Sequence, residues 1–173
     1  MELYFAPLAC SLATRIALYE AGATARYTQA DTRNKTLLDG RDFFAVNPMG
    51  QVPVLRLDDG STLTENTAIL QYVAEKFPHA HLTPPPGLER SRMQQWLGFI
   101  GTELHKAVFV PMLDENASDE VKRYSRDKLQ RRMETLQAHL RGREFLLDEF
   151  SIADAYLTTI LNWAQATQVD LQL

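Results

Sequence analysis

The sequence predicts an α/β + all-α chain: a mixed α/β domain over residues 1–80 and an all-helical domain over residues 87–173, joined by a linker at 81–86. Three observations predict it. Residues 1–20 read as strand, turn and helix, with apolar positions that change from alternation to helical spacing at a turn. Residues 52–77 read as a strand pair that runs straight into a second helix. Phe77-Pro78-His79-Ala80-His81-Leu82-Thr83-Pro84-Pro85-Pro86-Gly87 then breaks all periodicity, and beyond it every apolar pattern is helical.

In chain order, Met1 to Phe5 is a short strand with Leu3 and Phe5 on one face and Tyr4 on the other, ended by Pro7. Ala9-Cys10-Ser11 leads into Leu12, Ile16, Leu18 and Tyr19, an amphipathic helix stopped by Gly22. A cysteine at a helix start meets free N–H groups and the positive dipole end, which favour thiolate, and Arg15 could add to this. Most lone cysteines are buried and inert; the position of Cys10 favours the reactive reading. Ala25 to Ala30 alternates weakly and predicts a second strand. Asp31 to Asp42 is polar and predicts an irregular or short helical connection, anchored by Phe43-Phe44-Ala45-Val46.

Asn47-Pro48-Met49-Gly50 is turn chemistry. Val52-Pro53-Val54-Leu55 opens a strand, but Pro53 has no N–H for a ladder. It needs an edge, a bulge or a cis bond, each of which leaves a neighbouring backbone group free to hold something else. Leu55, Leu57 and Leu63 flank the hairpin signal Asp58-Asp59-Gly60. Thr64-Glu65-Asn66 then precedes Ala68-Ile69-Leu70, Tyr72-Val73 and Phe77 at helical spacing. Such a helix start offers free N–H groups to an anion, and Glu65 beside it offers a carboxylate to a cation. A small zwitterion with an α-amino acid head suits that pair.

In the second half, Met93, Trp96-Leu97, Ile100, Leu104 and Val108 form the buried stripe of a long helix that carries Thr102-Glu103-Leu104-His105-Lys106. Taken alone, His105 reads as a satisfied structural histidine. Ser118-Asp119-Glu120 caps a second helix whose inner face is read as Val121, Tyr124, Met133, Leu136 and Leu140, with Lys128, Arg131 and Arg132 on a solvated face. Ser151 and Asp154 form a capping box for a third helix, a stabilising element.

Composition excludes several classes. With 173 residues there is chain enough for a core, and a net charge of −4 offers no basic excess to neutralise phosphates, so no nucleic-acid partner is expected. No apolar run approaches the ~20 residues of a membrane span, and Glu2 and Pro7 interrupt any signal-like start. One cysteine allows no internal disulfide and fits a reducing compartment, so a soluble cytoplasmic protein is expected. His79 and His81 lack a Cys or carboxylate cluster, and no metal is expected.

Val52-Pro53 after Gly50-Gln51, followed by Thr64-Glu65-Asn66-Thr67-Ala68-Ile69-Leu70, resembles the glutathione-binding half of a cytosolic glutathione S-transferase. Pro7-Leu8-Ala9-Cys10-Ser11-Leu12-Ala13 and Thr102 to Lys106 resemble the bacterial beta class of that family, which carries a cysteine where other classes use Tyr or Ser. The resemblance implies a thioredoxin-like first domain with Pro53 in the cis form. It implies transfer of the glutathione thiolate to hydrophobic electrophiles held over the helical domain, with glutathione as co-substrate and no further cofactor. Glu65 then takes the γ-glutamyl ammonium, the helix start at Asn66 its carboxylate, the Val52 backbone the cysteinyl unit, and Lys35 the glycyl carboxylate. Cys10 and His105 stand near sulfur, with Thr102, Glu103 and Leu104 in the same glutathione-contacting set. A homodimer follows from the same resemblance. Ala13 stands where a dithiol enzyme needs its second cysteine, so any exchange at Cys10 must recruit an outside thiol. Gly98 departs from close relatives, which often have an Asn there that reaches the partner subunit's glutathione. The apolar, uncapped end at 169–173 suggests that a C-terminal helix of the family is lacking. Two other readings stay open: a glutathione-dependent disulfide reductase or dehalogenase using Cys10 covalently, and a non-catalytic glutathione-binding regulator.

Overall fold

The computed structural model describes residues 1–167, 169 and 171. The reading of residues 169–173 as an apolar, uncapped end, and of a helix lacking beyond it, lies outside the described residues apart from Val169 and Leu171. The chain folds as two compact units, Met1–Thr83 and Pro84–Leu173.

The first unit is a five-stranded mixed sheet in the order β3-β2-β1-β4-β5. Strand β1 (Glu2–Phe5) is central. It pairs in parallel with β2 (Arg26–Asp31) through the crossover helix α1 (Leu12–Glu20), and antiparallel with β4 (Val54–Arg56). Because β1 has neighbours on both edges and cover on both faces, Leu3 and Tyr4 are both fully buried although they point opposite ways. Tyr4 packs with Ala6, Ala30, Leu37, Phe43, Val52 and Val54. Helices α1 and α2 (Asn66–Lys76) pack on each other, and Ala13, Ala17 and Leu18 of the one and Ile69, Leu70 and Val73 of the other are buried.

β4 begins one residue after Pro53, as a residue without an N–H requires, and the Val52–Pro53 bond is cis. The hairpin signal at Asp58-Asp59-Gly60 joins β4 to β5 (Thr62–Thr64) with Leu55 opposite Leu63, and Gly60 takes φ +87°. The connection at 31–42 is mostly turns, as expected, but it also holds a two-residue strand that was not expected. The Asp31 carboxylate accepts from the Arg33 and Asn34 backbone N–H groups (2.9 and 3.0 Å) and turns the chain back. The returning Thr36–Leu37 forms β3, antiparallel to β2, and a 3₁₀ turn at Phe43–Ala45 follows, with Phe43 fully buried as its anchor.

In the second unit α3 (Leu88–Phe99) continues without a break through Ile100–Phe109, wound as a π-helix, into α4 (Val110–Leu113). The expected stripe holds: Met93, Leu97, Ile100, Leu104 and Val108 are all buried. The wide winding was not expected from spacing. Pro111 supplies no N–H to the carbonyl four residues back and its ring crowds that carbonyl, and the Val110 N–H reaches five back to the His105 carbonyl. Helix α5 (Asp119–Leu140) starts at the Ser118 cap, whose hydroxyl accepts from the Val121 N–H. Its inner face differs from the expected one: Val121 and Tyr124 are exposed, and the buried positions are Ser125, Leu129, Met133 and Leu136. Tyr124 instead lies under the Lys128 ammonium, 4.4 Å from the ring centroid. Helix α6 (Ile152–Leu161) is apolar nearly all round and buried along most of its length, and α7 (Ala164–Thr167) follows it.

The α6 cap also holds the loop before it. The Ser151 hydroxyl accepts from the Ala153 N–H, while the Asp154 carboxylate accepts from the Ser151 N–H and hydroxyl (2.9 Å each) and from the Leu146 N–H (2.8 Å). One buried carboxylate thus satisfies two backbone donors that have no helical partner.

Candidate functional site

The first group of site residues gathers where α1, α2 and the Val52–Pro53 turn meet. Ser11 precedes α1 but does not cap it with its side chain. Buried, its hydroxyl clasps Ala6, accepting from the Ala6 N–H (3.2 Å) and donating to the Ala6 carbonyl (3.3 Å). This fixes the β1–α1 turn that carries Cys10. The half-buried Cys10 thiol donates to the Val52 carbonyl at 3.3 Å. Asn66, the first residue of α2 and buried, donates from Nδ2 to the Cys10 carbonyl (2.8 Å) and accepts from the Thr14 hydroxyl (3.1 Å). Cys10, Val52 and Asn66, up to 56 residues apart, are therefore one hydrogen-bonded knot. The side chain of Asn66 is spent inside that knot. What the α2 start retains for a ligand is its backbone N–H groups, which have no intrahelical acceptor.

Glu65 is placed differently. It sits immediately before α2, exposed, at φ +67° and ψ 119°, a conformation rare for a residue with a Cβ. Its carbonyl accepts from Ala68 and Ile69, but its carboxylate caps nothing. Lys35, also at positive φ (59°), donates from Nζ to the Gly50 carbonyl at 3.0 Å. Gly50 takes φ +58°, and a Cβ there would come within 2.9 Å of both the Lys35 stem and the Phe44 ring, so the close approach requires glycine. The turn below is held by Asn47, which donates to the Gln51 carbonyl (2.8 Å). Arg15 does not serve Cys10: its guanidinium lies over the Phe5 and Tyr27 rings, 4.7 and 5.1 Å from their centroids.

The second group lies on the π-wound segment of the helical unit. Thr102 is exposed and its hydroxyl donates back to the Gly98 carbonyl (2.9 Å). Glu103 is paired with Arg132 of α5, whose Nε and Nη2 both reach the same carboxylate oxygen, the former at 3.0 Å. Arg132 is thus a half-buried partner and not part of a solvated face. Leu104 is fully buried, a core residue by its side chain. His105 is 6% exposed and has Tyr156 and Trp163 edge-on against it, with ring centroids 5.9 and 5.1 Å away. Its Nδ1 is 2.7 Å from the Tyr156 hydroxyl. Burial first, and the nearby Lys106 charge second, lower the His105 pKa to about 4, so the ring is neutral at neutral pH.

Sequence reasoning missed Ser11, Thr14, Arg132, Tyr156 and Trp163. Ser11 acts on Ala6 only five residues back; the other four carry no local signal, because each acts on a partner that folding alone brings near. Among the described residues no group of three or more His, Cys, Asp or Glu is placed to hold a metal ion, and no helix is long and apolar enough to cross a membrane.

A mixed sheet in which the Val52 turn meets a cysteine-bearing helix start, followed by a separate helical unit, defines a thioredoxin-like domain joined to an all-helical one. Residues 9–76 match the model of the glutathione S-transferase N-terminal domain, and residues 101–172 that of the C-terminal domain. Glutathione S-transferase GstA of Escherichia coli O157:H7 is 41% identical over 174 residues, covering 99% of this chain and 86% of that protein. A sphingomonad glutathione S-transferase solved in complex with glutathione matches with a TM-score of 0.93 and 41% identity, over 99% of this chain and 86% of that one. The bacterial beta class glutathione S-transferase of Sphingomonas chungbukensis matches with a TM-score of 0.94 and 42% identity, again over 99% and 86%. The chain belongs to the glutathione S-transferase family. Within it the chain groups with the bacterial beta class, and as a member it is a transferase.

Proposed function

We propose that the chain binds glutathione on its thioredoxin-like unit and transfers the thiolate to soft, hydrophobic electrophiles. The observation that carries this reading is Glu65. A non-glycine residue at φ +67° costs of order 1 kcal/mol, and its carboxylate repays no cap. Such an outlier beside a helix start with open N–H groups supports a ligand with an ammonium and a carboxylate on one carbon. Glu65 takes the γ-glutamyl ammonium, the Asn66 end of α2 its carboxylate, the Val52 backbone the cysteinyl unit and Lys35 the glycyl carboxylate. Cys10 and His105 act at sulfur, with Thr102, Glu103 and Leu104 in the same glutathione-contacting set. The sphingomonad neighbour bound to glutathione supports the choice of ligand. The protein acts as a cytoplasmic homodimer.

Calorimetric titration with glutathione tests this on the wild type and on Glu65→Ala. Binding by the wild type and its loss in a folded variant are expected; equal affinity in both would remove the assignment. A second reading, covalent use of Cys10, is favoured by its half-buried thiol at a turn with no neighbouring cysteine. In that chemistry the Cys10 sulfur attacks one sulfur of oxidised glutathione, the S–S bond breaks, and reduced glutathione leaves with the proton. Intact mass after oxidised glutathione should show one glutathionyl adduct, released by dithiothreitol. No adduct on the wild type would leave conjugation as the sole activity.

A further inference from the structure

His105 is held by a residue far away in sequence. Tyr156, on α6 and 3% exposed, places its hydroxyl 2.7 Å from His105 Nδ1, with the two rings nearly perpendicular at 88°. A neutral imidazole carries one N–H and one bare nitrogen, and the bond made at one nitrogen decides which is which. A phenol hydroxyl is a good donor, but its oxygen is a weak acceptor because its lone pair is shared with the ring. The bare imidazole nitrogen is the stronger acceptor of the two groups. The relative strengths of the two groups favour O–H to Nδ1, which leaves the ring proton on Nε2. Among the described residues Nε2 has no hydrogen-bond partner, and no buried side-chain nitrogen is left unpartnered. Nε2 is thus the nitrogen through which this otherwise buried ring meets the surface of its unit. The lowered pKa of His105 fits the same picture, since a neutral ring is what the tautomer argument requires.

We propose that Tyr156 is a positioning residue for the transfer reaction: it holds His105 with the proton on Nε2, so that a neutral N–H is presented to a thiolate sulfur. The proposal rests on the reading of His105 as acting at sulfur. Trp163, edge-on at 72°, limits rotation of the ring. An N–H donor at sulfur stabilises the thiolate without becoming charged, which suits a buried site where an imidazolium would be costly.

Tyr156→Phe keeps the ring contacts and deletes only the hydroxyl. Nitrogen-15 spectra of the labelled wild type should show His105 as the Nε2–H tautomer, and those of Tyr156→Phe a mixture of both tautomers. Loss of one neutral hydrogen bond of this kind should lower kcat for conjugation about tenfold and leave KM for glutathione within about twofold. An Nδ1–H tautomer in the wild type would overturn the proposal with no variant needed. So would an unchanged tautomer and kcat in folded Tyr156→Phe. His105→Asn separates the two readings. Undiminished conjugation in that folded variant removes His105 from the sulfur chemistry and the proposal with it. Reduced conjugation there, beside an unaffected Tyr156→Phe, overturns the positioning role alone.

Discussion

The start of α2 and the π-wound segment of the helical unit hold their functional groups in opposite ways. At α2 the carboxylate of Glu65 is exposed and spends nothing on the fold, while its neighbour Asn66 is buried and spends its whole side chain on Cys10 and Thr14. On the π-wound segment the side chain proposed to act is itself in the core: His105 is buried among aromatic rings and bonded to Tyr156. On the proposed function, binding and stability are carried by separate residues in the first place and by one residue in the second. Changes at Glu65 should alter ligand affinity alone, and changes at His105 should alter both.

The largest effect on binding is expected at Glu65. Its carboxylate is exposed, and losing a charge-assisted hydrogen bond to an ammonium costs about 1.5–3 kcal/mol, so Glu65→Ala should weaken glutathione binding roughly ten- to a hundredfold with an unchanged denaturation midpoint. A fall in midpoint as large as the fall in affinity would erase the contrast. The pH dependence of stability sharpens the other side. The His105 pKa lies near 4 in the folded chain and at 6.5 in an ordinary environment. Above pH 6.5 both states are neutral and stability is full; as pH falls from there, only the unfolded chain takes the proton. His105 should therefore remove about 3 kcal/mol of stability between pH 6.5 and 4, seen as a steeper fall in the wild-type denaturation midpoint than in His105→Asn. Parallel curves would show the ring to be less buried than its place implies.

Asn66→Ala comes next. It leaves the Cys10 carbonyl and Thr14 hydroxyl without their partner in a buried knot, and about 2 kcal/mol of stability should go; unchanged urea midpoints would show that water replaces the amide. The smallest effect is expected from Arg132→Gln. Its pair with Glu103 is partly exposed, so a loss of no more than about 1 kcal/mol is expected, and a double-mutant cycle with Glu103→Gln checks it.

The sequence by itself determined what local chemistry governs. The β1–α1 turn, the interruption at Pro53, the hairpin at Gly60, the Ser118 cap and the Ser151–Asp154 box each depend on residues within four or five positions of one another. The buried stripe from Met93 to Val108 was legible for the same reason, since helical spacing repeats over that range. Glu65 could be singled out because a helix start is local, and Cys10 because the turn before α1 is. The face that α5 buries was not legible: the neighbours Tyr124 and Ser125 could each extend the stripe of Met133 and Leu136, and only the packing of α4 and the π-wound segment on α5 selected Ser125. The π winding was hidden too, because Pro111 signals a break and not which winding absorbs it. Tertiary structure alone joined Asn66 to Cys10, Arg132 to Glu103 and Tyr156 to His105, pairs 56, 29 and 51 residues apart. A side chain's propensity and spacing carry no record of a partner that distant; the choice is made when helices and strands close on a shared core, and the buried polar groups must then be satisfied by whatever has arrived beside them.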